Sequence, residues 1–224
     1  MRRPISTMLR VALASAALLA LPYAGAQDVE LLVKHSEVSD GVDGVRRTAE
    51  FAERVSRTRD NIWISRVLPP VSRSEHQHAK SGQQHKHLDV STASRWITRN
   101  ADGAVQMRIV PNDEKVVVNI GRTDYGNVGF DGSWTAAWNL IDPALLSRMK
   151  AGKVADGLTT YTLREKGRSV KVVWNGRLQV PVLVETADST SRRQTVTQVL
   201  ATTATRPWNA LKNHAQKDYS DYLD

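Results

Sequence analysis

The sequence predicts an α+β, mostly β protein: a curled antiparallel sheet, an incomplete barrel, with short helices packed on its concave face. Three observations predict it. Residues 158–165, 168–174, 177–186 and 192–203 read as four consecutive strands. In them Val170, Val172 and Trp174 alternate with Ser169, Lys171 and Val173, while Leu178, Val180, Val182 and Val184 fill one face of the next strand. Such alternation sets one face on a core and leaves the other to water. A second meander, 94–99, 104–110 and 115–120, precedes them, with Val105, Met107 and Ile109 on one face. Between the meanders lies a tryptophan-bearing helical segment.

The turns fit the strands. Lys166-Gly167, Asn175-Gly176 and the run 188–191 separate the second set. Asn-Gly favours a type I′ hairpin, because both central residues of that turn need positive φ.

Taken in chain order, the first residues stand outside this fold. Arg2, Arg3 and Arg10 precede an apolar run, 11–21, and small residues lead to a cleavage point after Ala26. That is the form of a secretory signal peptide. The run is shorter than the roughly 20 residues of a spanning helix, and no later stretch reaches that length. Residues 27–224 then form a single β-rich domain in the periplasm, with no transmembrane segment after cleavage. The chain has no cysteine. Disulfides, thiolate metal sites, a cysteine nucleophile and a lipidated cysteine are excluded. The formal charge is +8, and the leader's three arginines account for three of it. The basic residues are read as interspersed with acids, a solvated surface and no nucleic-acid site.

Residues 27–44 suit a short helix or a first strand. Residues 46–60 pair with 61–68, where Ile62, Trp63, Ile64 and Val67 are strand formers, in a long hairpin. Residues 71–89 are a polar, histidine-rich loop. Asp131-Gly-Ser133 offers a helix cap before Trp134, and Trp134, Trp138 and Ile141 share one helical face. Asp142-Pro143 starts a second short helix carrying Leu145, Leu146 and Met149, ended by Gly152. Residues 207–223 read as a C-terminal helix with a stripe of Trp208, Leu211, Ala215, Tyr219 and Tyr222. It either docks on the sheet or binds a partner protein.

This order, together with the run Val-Val-Trp-Asn-Gly-Arg-Leu-Gln-Val-Pro-Val-Leu-Val-Glu-Thr-Ala-Asp at 172–188, resembles the LolA/LolB-like superfamily of periplasmic lipoprotein carriers. The resemblance implies a half-barrel plugged by helices and an apolar cavity for a lipid or lipoprotein acyl chain. Trp96, Trp134, Trp138 and Trp174 are the candidate cavity residues, and the same rings would equally fill a solid core.

The loop carries two His-x-His pairs, His76 with His78 and His85 with His87, flanked by Glu75 and Asp89. Residues i and i+2 of an extended chain point the same way, so each pair can offer two imidazoles to Zn, Cu or Ni. A solvated loop with weak metal affinity has the same composition, and clustered imidazoles also suit a pH switch. No nucleophile elbow, zincin helix or phosphate loop is present. His35 and His214 stand alone. The expectation is an exported, non-enzymatic binding or carrier protein for an apolar ligand, with a periplasmic transition-metal-binding protein as the alternative.

Overall fold

The computed structural model describes residues 28–69 and 88–223. The expected leader, 1–26, lies outside them, as do His76, His78, His85 and His87. The described residues form one sheet of twelve strands with short helices laid across it. The strands are β1 (Val29–Asp40), β2 (Arg46–Arg57), β3 (Asn61–Arg66), β4 (Ser94–Arg99), β5 (Val105–Val110) and β6 (Val116–Ile120), then β7 (Lys150–Ala155), β8 (Leu158–Glu165), β9 (Arg168–Asn175), β10 (Val180–Ala187), β11 (Ser191–Ala201) and β12 (Ala215–Asp218). Their order across the sheet is β12-β6-β5-β4-β3-β2-β1-β11-β10-β9-β8-β7, so the sheet is open, with β12 and β7 as its edges.

The hub is β1, the stretch whose composition allowed helix or strand. It pairs with β2 along its whole length and with β11 on its other side, joining the two meanders. Val29, Leu31 and Val33 alternate into the core and are all buried. An isolated 12-residue segment has no such choice to make. The decision comes from neighbours that supply ladder bonds on both sides.

Turn chemistry behaves as the residues dictate in two places and not in a third. Asp156-Gly157 and Lys166-Gly167 both carry positive φ at each position, 52° and 74° in the first and 47° and 80° in the second, the geometry of two-residue hairpins. Asn175-Gly176 does not make the tight turn expected of it. Asn175 pairs directly with Val180, and a four-residue loop lies between them. The Asn175 Oδ1 accepts from the backbone N–H groups of Arg177 and Leu178 at 3.1 and 3.0 Å. The loop is longer because Leu178 turns down into the core.

Two helical expectations change. The segment after Asp142 is a 3₁₀ helix, Pro143–Arg148, and strand β7 begins two residues later. Gly152 does not stop a helix. It sits where the β7–β8 register shifts, and a Cβ there would lie 3.2 Å from the Thr160 carbonyl oxygen. The expected helix 207–223 is a 3₁₀ turn (Pro207–Asn213), then β12 in parallel pairing with β6, then a 3₁₀ turn (Tyr219–Tyr222). Its stripe is split between two faces of the sheet. Trp208 and Leu211 pack against Trp63, Val110 and Val117 on the convex side, whereas Tyr219 and Tyr222 join the concave core. A straight helix cannot reach both sides. An extended strand at the sheet edge can, and it also satisfies β6's open backbone groups.

Candidate ligand-binding site

The cover of the concave face begins at Ser133, whose Oγ accepts from the Ala136 N–H at 3.1 Å and starts helix α1 (Trp134–Asn139). Asp142 repeats the device, accepting from the Ala144 N–H at 2.9 Å with Pro143 at the first helical position. Between the two caps Leu140 turns the chain at φ 64°, a left-handed conformation uncommon for a branched residue.

Trp138 pins this cover to the sheet. Its ring is 8 % exposed, and its Nε1 donates to the Thr58 carbonyl at 3.0 Å. The Arg57 guanidinium lies 3.6 Å from the ring centroid and is wholly buried. It donates to the Trp138 carbonyl at 2.5 Å and to the Leu178 carbonyl. Among the described residues no carboxylate accompanies it, and burial lowers its pKa to about 10. Two carbonyl dipoles and an aromatic face hold the charge instead. One side chain therefore ties together β2, the helical cover and the β9–β10 loop.

Among the described residues this face carries two hollows beneath the helical cover. The larger, about 540 Å³, has Ile141, Leu145, Leu146 and Met149 of the cover on one side and Leu163, Val170, Val172, Val184 and Thr186 of β8–β10 on the other. The second, about 410 Å³, runs under α1 between Val33, Val55, Ile64, Ile97 and Met107 below and Ala137, Leu140 and Ile141 above. Ile141 and Val184 line both, so the hollows meet there.

Register explains the lining. Tyr161, Val172, Val184, Thr195, His35 and Phe51 are successive cross-strand partners from β8 to β2. They form one row across the concave face, apolar at one end and polar further in. At the polar end the His35 ring stacks on Phe51 with centroids 4.5 Å apart, its Nδ1 is 3.2 Å from the Thr195 hydroxyl and its Nε2 is 3.5 Å from Glu53. Glu53 also accepts from Arg95 at 2.5 Å. Burial alone would raise the Glu53 carboxyl, but His35, Arg95 and Arg66 outweigh it and hold it below the usual carboxylate range.

The four candidate tryptophans do not converge. Trp138 and the half-buried Trp134, which lies under Arg99 at 4.8 Å, pack the cover onto the core, and neither lines a hollow. Trp96 pairs with Trp63 and, like it, belongs to the convex cluster with Trp208. Trp174 shares its face with Val172 but lies near the end of β9 and lines neither hollow. Parity within a strand sends Trp96 outward once the register is fixed. What lines the space is Val, Leu, Ile and Met, which composition alone does not single out. His35, read as solitary, is the centre of a polar cluster. Its own strand placed it beside Val33, but only the pairing of β1 with β2, and of β2 through β3 with β4, brings Glu53 and Arg95 into one cluster with it. Asp89, considered as a support for metal-bound histidines, instead caps its own turn. Its carboxylate accepts from the Ser91 N–H at 3.0 Å, from the Ser91 hydroxyl and from the Thr92 hydroxyl. Among the described residues no three His, Asp or Glu side chains are placed to hold a metal ion.

No protein-family model matches this sequence, and no curated protein matches it. Solved structures do resemble the chain. A LolA superfamily protein from Nitrosomonas europaea is 7 % identical over 84 % of this chain and 91 % of its own, with a TM-score of 0.35. A domain described as an outer membrane lipoprotein-sorting protein, from Vibrio parahaemolyticus, is 10 % identical over 85 % and 92 %, at 0.33. A DUF1329 family protein from Desulfovibrio piger is 12 % identical over 77 % and 84 %, at 0.31. Two of the three carry LolA or lipoprotein-sorting names, the superfamily that the order of hairpin, meander, helices and meander resembles.

Proposed function

We propose that this is a periplasmic, non-enzymatic binding or carrier protein that takes the apolar chain of a lipid or lipoprotein into the two joined hollows. The observation that carries the reading is the larger hollow: about 540 Å³ of space walled by Leu, Ile, Val and Met between the helical cover and β8–β10. Small-molecule sites occupy roughly 300–1,000 Å³ and are mostly apolar. Burying an alkyl chain gains about 0.8 kcal/mol per methylene, so ten methylenes supply roughly 8 kcal/mol before the costs of association. The polar cluster at His35 pairs within itself, the ring with Thr195 and Glu53 and Glu53 in turn with Arg95.

Val184 lines both hollows. Val184→Phe should plug their junction while leaving the fold intact. Native mass spectrometry of the purified protein and titration with a fluorescent fatty acid test the reading. Binding at micromolar concentration, lost in the plugged variant with its thermal midpoint unchanged, supports it. No co-purified lipid and no fatty-acid binding by the unaltered protein would end it.

The two His-x-His pairs keep metal binding as a second proposal. Calorimetry with Zn²⁺, Cu²⁺ and Ni²⁺ decides it. An affinity unaltered after replacing His76, His78, His85 and His87 by alanine removes it.

A further inference from the structure

The net charge of this protein is not spread evenly. Residues 148–177, which span β7, β8 and β9, hold eight Lys and Arg against two Asp and Glu. The rest of the chain after residue 26 holds twenty against twenty-one. The interspersed pattern read from the whole chain therefore hides a basic end of the sheet and a nearly neutral remainder. Like charges gathered on three adjacent strands repel one another and raise the local concentration of anions.

Three of these cations stand at the larger hollow. Arg148 from the cover and Lys166 and Arg168 from the β8–β9 turn line it, with Glu165 as the one acid among the described lining residues. All three are exposed, and among the described residues none makes an ion pair, in contrast to Lys171, which is 3.2 Å from Glu185. The floor of the same hollow is Leu163, Val170 and Val172. An apolar floor under a rim of unpaired cations is complementary to one kind of molecule, an alkyl chain ending in an anion. The rim also lies next to an exposed apolar residue, Leu145.

Building on the proposed binding function, we propose that the ligand is a single-chain anionic amphiphile, its carboxylate or phosphate held by Arg148, Lys166 and Arg168 and its chain running inward over Val170 and Val172. A bilayer of acidic lipid would answer to the charge but not to its position around a hollow.

The test uses the purified chain after leader removal and three probes of equal length, each below its micelle concentration: dodecanoate, dodecanol and dodecyltrimethylammonium. Affinity is read by displacement of a fluorescent fatty acid or alcohol. Dodecanoate should bind about tenfold more tightly than dodecanol, since exposed ion pairs are individually weak and three act together. The ammonium probe should bind most weakly. Combining Arg148→Gln, Lys166→Gln and Arg168→Gln should bring dodecanoate down to the dodecanol value and leave dodecanol unmoved. Raising ionic strength from about 0.01 M to about 1 M, which shortens screening from roughly 30 to 3 Å, should do the same.

Equal affinity for dodecanoate and dodecanol would overturn the proposal and leave the binding function standing. Failure of all three probes would overturn both. Sedimentation with phosphatidylglycerol vesicles, dependent on the three cations but without any preference for dodecanoate, would overturn it in favour of a membrane-docking face.

Discussion

The two halves of the concave face use the same alternating pattern and end differently. Under β1–β6 the inward side chains meet Tyr125, Phe130, Trp138 and Tyr222, which leave only the smaller hollow beneath α1 among the described residues. Under β8–β10 the described residues that face them are the short 3₁₀ helix Pro143–Arg148 with Ile141 and Met149 beside it, and the larger hollow remains. Burial follows: β6 has four buried residues out of five, whereas β8 has none and β9 only Val172. The lesson is that alternation decides which way a residue points, not whether anything large enough arrives to cover it. Rings of 150–250 Å² come from the loops that follow β6 and from the chain end, and they all fall on one side.

That contrast can be broken from the filled side first. Arg57→Met should be the most damaging change, at roughly 3–5 kcal/mol, because it removes a desolvated cation–π contact and leaves two buried carbonyls without donors. At about 2–4 °C per kcal/mol for a chain of this size, the thermal midpoint should drop by about 10 °C. Trp138→Ala should cost a similar ~3–5 kcal/mol by opening a cavity in packed surroundings. Val170→Ala, facing the hollow, should cost only about 1 kcal/mol, since no close-packed partner is lost. Equal losses at Trp138 and Val170 in denaturant titrations would mean that the second half is as filled as the first.

A smaller effect sharpens the boundary between the halves, where Glu53 sits. Its folded carboxyl titrates below the ordinary value of 4.5, held there by His35, Arg95 and Arg66 against the opposing effect of burial. The stability this brings is therefore complete above that ordinary value and lost as pH falls through the lower folded one. In urea titrations from neutral pH downward, Glu53→Gln should be less stable than the unaltered protein at pH 7, and the difference should shrink on acidification. The smallest change belongs to the exposed β10–β11 turn. There Asp188 accepts from the Thr190 and Ser191 N–H groups at 2.9 and 2.8 Å, and these bonds and the Ser191 hydroxyl hold its carboxyl near 2. Asp188→Ala should move the thermal midpoint least of these variants and leave ligand binding untouched.

Much of the architecture was legible in single residues. The alternation of Val105, Met107 and Ile109 and of Val170 and Val172, the Lys166-Gly167 turn, and the Ser133 and Asp142 caps each have a local cause, and each stands where the residues put it. The candidate site was much less legible. Trp96 and Trp138 are alike as sequence, both large rings among strand formers or helix formers. One ends on the convex face against Trp208 and the other over Arg57. His35, Glu53 and Arg95 lie up to sixty residues apart and carry no shared motif.

By itself the sequence determined the strands of the two meanders, the Lys166-Gly167 turn, the two helix starts and the absence of thiol chemistry. These are matters of backbone preference and of period, and they act over a few residues. The tertiary structure decided three other things: that β1 is the hub, that the C-terminal stripe divides round a sheet edge, and that three cations rim an unfilled apolar space. Each depends on which strands become neighbours and in what register, and register is set by packing of the whole sheet at once.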